Sequence, residues 1–274
     1  MIVALALERL APAEIVEACL AYHAAAGVGL VLAPEPDDAA LADVLAQHEA
    51  RGLVRSVSAG DSPARAAAVS GAGWLMRGRA DEFWWPRGAP LDELLRAVPR
   101  QVGAVQALAR RFVVSPGSGP FFERATLRCV PSAPALDPRS PERPPPRRIC
   151  RLGDAAGEPA LRAWFPVEVL CFAADPELDP CVGGTLVEDT RVRDALGTVA
   201  AGVPLTFPRP GAADDPDFAV EVAGLVEAEV VTAAQRIDEL ERRLAGLEAA
   251  RLRPRLGRAV RRIADVATRR GAAR

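Results

Sequence analysis

Asp81-Glu82-Phe83-Trp84-Trp85 puts two neighbouring carboxylates directly before three aromatic rings, inside the longer string Arg79-Ala80-Asp81-Glu82-Phe83-Trp84-Trp85-Pro86-Arg87-Gly88. A carboxylate at a strand end can hold a divalent cation against a diphosphate. Indole faces can stack on a sugar or a base. The same string also fits a plain acidic turn followed by core aromatics. Other chemistry-bearing residues read more quietly. His23 and His48 fall on helical patterns far apart in sequence and read as structural histidines. Cys171 has no His or Lys near it in sequence and reads as an inert buried thiol. Gly183-Gly184-Thr185 lacks the Lys of a phosphate loop and reads as a turn. Glu188-Asp189-Thr190-Arg191 reads as a helix start with charge pairs.

The elements that must position the acidic-aromatic string follow from apolar patterning. Ile2 to Leu7 is an unbroken apolar run, as in a strand buried on both faces. Pro12 stands at a first helical position, and Ile15, Cys19, Leu20 and His23 continue at helical spacing until Gly27. Val28 to Ala33 is a second buried strand. Asp37 and Asp38 start a helix through Leu41, Val44 and Leu45 that Gly52 closes. Val54 to Val57 is a third strand, and Trp74 to Met76 opens a fourth that runs into Asp81. This βαβαβ order predicts a parallel sheet covered by helices, with Asp81 and Glu82 at the carboxyl end of a strand, where ligands bind in such sheets. Leu91 to Val98 is a short helix. Val102 to Val114, Ala125 to Val130 and Phe165 to Phe172 are further strands. Seven prolines between Pro131 and Pro146 exclude a regular helix or central strand there, so 131–148 is an extended surface loop.

Composition bounds the function. Half the residues are apolar, enough for a sizeable core. Every basic residue is Arg, and the formal charge of −2 argues against a nucleic-acid binder. No apolar stretch is long enough to span a membrane. The N-terminus has no basic region or long apolar run, so no secretory signal is expected. Five scattered Cys without a C-x-x-C pair give no sign of a disulfide framework or structural zinc, so the reducing cytoplasm is the expected compartment.

The string Asp81-Glu82-Phe83-Trp84-Trp85-Pro86-Arg87-Gly88 resembles the D-A-D-E-F-W-W-P-R-G segment of bacterial family 2-like glycosyltransferases with the GT-A fold. Ala13-Glu14-Ile15-Val16-Glu17, Tyr22-His23, Val105-Gln106-Ala107, Arg111-Phe112-Val113, Ala135-Leu136-Asp137-Pro138 and Pro166-Val167-Glu168-Val169-Leu170 look like further segments of that family, in consistent order over about residues 1 to 196. The resemblance implies an α/β, GT-A-like, mostly parallel sheet flanked by helices. It implies sugar transfer from a nucleotide-sugar to a glycan or glycoconjugate acceptor, with Mn²⁺ or Mg²⁺. By position it makes Asp81 the metal or diphosphate carboxylate, Glu82 its neighbouring catalytic support, and Trp84 and Trp85 the acceptor platform. Arg79 and the run Glu35, Asp37 and Asp38 would contact the donor.

Several site positions depart from the family pattern. Arg79 stands where the first Asp of its D-x-D would be, Glu35 to Asp38 lacks the usual Ser, Thr and Gly, and Cys171 replaces a His. A guanidinium beside Asp81 would neutralise it and repel a cation. It could instead replace the cation on diphosphate oxygens. The resemblance therefore supports either an enzyme or a catalytically inactive binding or scaffold protein.

The catalytic domain is expected to occupy 1–203 and a Pro/Gly/Asp-rich linker 204–217. In the tail, 218–274, Ala223, Val226, Val230, Ala233, Ile237, Leu240, Leu244 and Leu247 form an a/d heptad series. That series predicts a helix able to pair with a second copy over 223–247. Pro254 then separates a basic helix, with nine Arg against one Asp from Arg251 onward. Its charge suits weak contact of 251–274 with an anionic membrane at the inner face of the plasma membrane.

Overall fold

The computed structural model describes residues 1–130, 147–153, 161–173 and 184–207. The Pro-rich segment to 146, most of the expected linker and the whole tail lie outside the described residues.

The architecture is α/β. Strand β1 (Ile2–Arg9) lies between β2 (Leu30–Pro34) and β4 (Ala72–Arg79), parallel to both, and β3 (Val54–Val57) extends the parallel set beyond β2. Alternation within these runs feeds both faces of the sheet. Val3, Leu5, Leu7, Val31, Ala33, Trp74 and Met76 join the large core cluster, which includes Ile15, Cys19 and Leu20 of α1 (Ala13–Ala25) and Leu41 and Leu45 of α2 (Ala39–Ala50). Ala4, Ala6, Leu30, Leu32 and Leu75 supply the other face, together with Ala67 of α3 (Pro63–Val69).

The helix ends follow the expected chemistry. Asp38 Oδ1 accepts from Leu41 N at 2.9 Å and caps α2. Gly27, with φ +95, follows α1 at a close approach: a Cβ there would stand 2.8 Å from Asp92 Oδ1. Asp92 belongs to α4 (Leu91–Arg96), which is tied to the end of α1 by Leu91 N donating to Ala26 O at 2.8 Å.

The expectation of a mostly parallel sheet is corrected. Among the described residues four strand pairings are parallel and five antiparallel. The sheet runs β10-β7-β6-β8-β4-β1-β2-β3, with β8 (Arg147–Arg151) inserted antiparallel between β4 and β6 (Val102–Val113). Strands β7 (Leu127–Val130) and β10 (Thr185–Glu188) continue antiparallel beyond β6. After α4 the strands are no longer joined by the helical crossovers that parallel pairing requires. Arg-Arg-Ile-Cys-Arg of β8 buries Ile149 alone, so it carries little strand patterning. Arg151 fixes this strand instead: it donates to Val98 O, Pro99 O and Val102 O at 3.0–3.1 Å and lies 4.2 Å over the Trp74 ring.

A branch completes the fold. β5 (Glu82–Pro86) pairs antiparallel with β9 (Leu161–Ala173), and β9 runs parallel to β6. The β6–β9 register shifts between Gln106 and Leu108, opposite the stretch of β9 that contains Pro166, a residue without an N–H for the ladder. Two short helices, α5 (Phe121–Arg124) and α6 (Arg191–Ala200), pack in the same core through Phe121, Val192 and Leu196. Among the described residues no helix is long and apolar enough to cross a membrane. Cys19, Cys150 and Cys171 are free thiols, whereas Cys129 is disulfide-bonded, a bond that the scattered cysteine spacing did not signal.

Candidate functional site

Strand β4 ends at Arg79 beside Arg9, the last residue of β1, and Ala80 N extends the pairing by donating to Arg9 O at 3.0 Å. Asp81 occupies the turn between β4 and β5, so it lies at the carboxyl edge of the parallel strands. Its backbone oxygen accepts from Phe172 N at 2.9 Å, which anchors the turn to β9.

Four charged side chains meet here. Asp81 is 3 % exposed and Glu82 2 %. Asp81 Oδ2 is ion-paired with the Arg79 guanidinium, and Asp81 Oδ1 is buried without a hydrogen-bond partner among the described residues. Glu82 Oε2 accepts from Arg79 N at 3.2 Å, and Glu82 Oε1 is ion-paired with Arg147 of β8. Burial pushes the Glu82 carboxyl up from its ordinary value, with Arg147 opposing. Gly78 leaves room for this carboxylate, since a Cβ there would stand 2.8 Å from Glu82 Oε2. Across the β5–β9 ladder Cys171 faces Glu82, with Sγ 3.9 Å from Oε1. Burial, and then the Glu82 charge, push that thiol up to about 12, so it stays an inert SH group.

Glu35, Asp37 and Asp38 follow β2 at the same edge and are exposed. Asp38 caps α2, and Glu35 Oε1 accepts from Ser58 Oγ at 3.5 Å. Among the described residues no hydrogen bond or ion pair joins these three to Arg79, Asp81 or Glu82. The structure thus brings together the Arg79–Glu82 group and adds Arg147, which sequence reasoning missed. Its pairing with Glu82 spans 65 positions and has no local pattern.

Trp84 and Trp85, expected as an acceptor platform, are core residues at 0 % and 8 % exposure. The cause is the double anchoring of β5. One edge pairs with β9, while α1 side chains bind the Trp84 backbone: Trp84 N donates to His23 Nε2 at 3.1 Å, and Tyr22 OH donates to Trp84 O at 3.3 Å. The Tyr22 ring also stacks on Trp85, with centroids 6.0 Å apart.

His23 is fully buried. Its Nδ1 lies 2.8 Å from Cys19 O, an arrangement in which Nδ1–H donates and Nε2 is left to accept from Trp84. It is the structural histidine the sequence suggested. Burial lowers its pKa from 6.5 to about 4. A lowered folded-state value means that neutral His23 contributes fully above the unfolded pKa and that this contribution is lost as pH falls from 6.5 towards 4. The expected loss is about 3 kcal/mol. Urea titrations at stepped pH should show that slope in the native protein and its disappearance in His23→Gln; an unchanged slope in the variant would assign the acid sensitivity elsewhere.

Next to β5 lies a buried ion network. Glu168 of β9, opposite Trp85 in the ladder, is fully buried. It accepts from Arg87 Nε at 3.1 Å, Arg110 Nε at 2.8 Å and Arg191 Nη1 at 3.3 Å. These guanidiniums outweigh burial and hold its carboxyl below the ordinary value. Arg191 continues to Asp189, which also takes Arg128 at 3.0 Å. Glu188-Asp189-Thr190-Arg191 is accordingly a helix start with charge pairs. Elsewhere, a cleft of about 600 Å³ opens between α1, α5 and α6, lined by Ala18, Phe121, Phe122, Leu196 and Val199 with Glu14 and Glu17.

The donor set at Asp81 does not suit Mn²⁺ or Mg²⁺. Hard dications need several oxygen ligands, yet Asp81 Oδ2 and both Glu82 oxygens already accept from arginine groups. No group of three or more His, Cys, Asp or Glu able to hold a metal occurs among the described residues. Two guanidiniums at these carboxylates also oppose a cation electrostatically.

No protein-family model matches the chain, and no curated protein is significantly similar to it.

Proposed function

We propose that this chain is a GT-A-like glycosyltransferase-family protein that binds a nucleotide-sugar at the carboxyl edge of β1, β2 and β4, for transfer to a glycan or glycoconjugate acceptor. The observation that carries the reading is the place of Asp81, in the turn that ends β4 at the edge where ligands bind in parallel α/β sheets. The exposed carboxylates Glu35, Asp37 and Asp38, following β2 at that edge, support a ligand that spans neighbouring strand ends. A second reading, a catalytically inactive binding protein of the same fold, is favoured by one feature: Asp81 and Glu82 are both ion-paired with arginine, so neither is a free base. A thermal-shift screen of nucleotide-sugars tests binding, because a ligand selective for the native state raises the melting temperature. At least one donor is expected to stabilise the protein. Release of nucleoside diphosphate then separates enzyme from binder, and no response to any donor would end the nucleotide-sugar reading and favour an inactive scaffold protein.

A further inference from the structure

The mismatch between the carboxylates and a divalent cation points to a different use of the same place. We propose that Arg79 and Arg147 together take the role of the cation, binding the diphosphate of a nucleotide-sugar, while Asp81 and Glu82 hold the two guanidiniums in position. This rests on the nucleotide-sugar reading above.

The two arginines arrive from different strands, β4 and β8, and meet through Glu82. One Glu82 oxygen accepts from the Arg79 amide, and the other is ion-paired with the Arg147 guanidinium. Asp81 then fixes the Arg79 guanidinium. Both carboxylates are buried, so their positions are set by packing, whereas the Arg79 and Arg147 side chains are 46 % and 36 % exposed. Each guanidinium has one carboxylate partner among the described residues, and Arg147 also hydrogen-bonds the Cys171 thiol; a guanidinium carries five N–H donors. The donors on the exposed part of each guanidinium suit phosphate oxygens, to which Arg binds in a planar, bidentate fashion. A buried carboxylate behind a half-exposed arginine reduces the side-chain freedom that would otherwise be lost on binding.

A second, independent observation indicates a ligand. Asp81 Oδ1 is buried and has no partner among the described residues, and an orphaned carboxylate oxygen is costly unless something donates to it. A sugar or ribose hydroxyl beside the diphosphate is a donor of the right kind, reaching Oδ1 with a small shift of the turn that covers it. A divalent cation explains the pattern less well, because Asp81 Oδ1 alone is free to ligate it while the other three carboxylate oxygens are held by arginine groups. Phosphate oxygens need only the arginine N–H groups that are not used by the carboxylates.

The experiment is calorimetric titration of the full chain with uridine and guanosine diphosphates and with inorganic pyrophosphate, in EDTA and in excess Mn²⁺. Binding of at least one probe in EDTA is expected, changed less than about twofold by Mn²⁺. Arg79→Ala and Arg147→Ala are each expected to weaken it about tenfold or more, the usual scale for a charge-assisted hydrogen bond. Arg147→Lys, which keeps the charge and loses the fork, should fall between native and Arg147→Ala, and circular dichroism checks that every variant is folded. Binding that appears only with Mn²⁺ would overturn the arginine clamp and leave the nucleotide-sugar reading standing. So would binding that Arg147→Ala and Arg147→Lys both leave intact. No binding of any probe, with or without Mn²⁺, would overturn the clamp together with the reading on which it rests.

Discussion

Glu168→Ala is expected to destabilise the protein by about 3–5 kcal/mol, the usual cost of removing one partner from a buried ion pair. Glu168 has no exposed surface and supplies both its oxygens to guanidiniums, Oε1 to Arg110 and Oε2 to Arg87 and Arg191. These groups belong to β6, to the segment after β5 and to the start of α6. Loss of one carboxylate therefore removes the counter-charge that joins three parts of the fold while leaving the arginines inside. Glu168→Gln keeps the shape and one acceptor but turns N–H groups towards guanidiniums, so it should also destabilise, by less. Urea unfolding measures both, and a loss under about 1 kcal/mol in Glu168→Ala would show that the network adds nothing net, as some buried ion pairs do. The sign with pH is also fixed. The Glu168 carboxyl is held below its ordinary 4.5, so its contribution is full above that value and is lost only as pH falls below it. Acid should act in two windows: His23 first, between 6.5 and 4, and then Glu168.

The parallel half of the sheet was legible because its signals are local. Apolar runs fix β1 to β3, and Asp38, Gly27 and Gly52 mark helix ends with the side-chain bond and the positive φ angles expected of them. Strand β3 falls on the residues expected for it, Val54–Val57. The antiparallel half was not legible to the same degree. Strand β8 is mostly polar, β5 was read as the tail of a motif and not as a strand, and β10 buries none of its residues fully. Their pairing depends on neighbours far away in sequence, which no local period encodes. The site divides in the same way. Asp81, Glu82 and Arg79 stand within four positions and were visible as a motif. Arg147 and Glu168 acquire their roles only through contacts spanning 65 and 81 residues.

The aromatic run was visible in sequence and its three rings are buried, and Phe83→Ala measures how much it holds. Phe83 is 1 % exposed and meets four rings: Tyr22 at 5.4 Å, His23 at 5.8 Å, Phe121 at 5.9 Å and Phe172 at 5.2 Å between centroids. These come from α1, α5 and β9, so one side chain of β5 sits where three elements meet. Truncation to Ala removes the ring from all of them and leaves a cavity, at an expected cost of about 3–5 kcal/mol. Phe83→Leu refills most of that volume and should cost clearly less, with only the ring-on-ring contribution lost. A common, small loss in both variants, under about 1 kcal/mol by urea unfolding, would mean that the neighbouring rings collapse into the space and that β5 is held by its ladder and the His23 and Tyr22 hydrogen bonds alone. The expected gap between Ala and Leu ties the core to the site. Glu82 directly precedes Phe83, and the two arginines reach Glu82 through atoms whose positions follow β5. In the Leu variant β5 keeps its place, so the proposed nucleoside diphosphate binding should persist. In the Ala variant binding should weaken even under conditions where the protein remains folded.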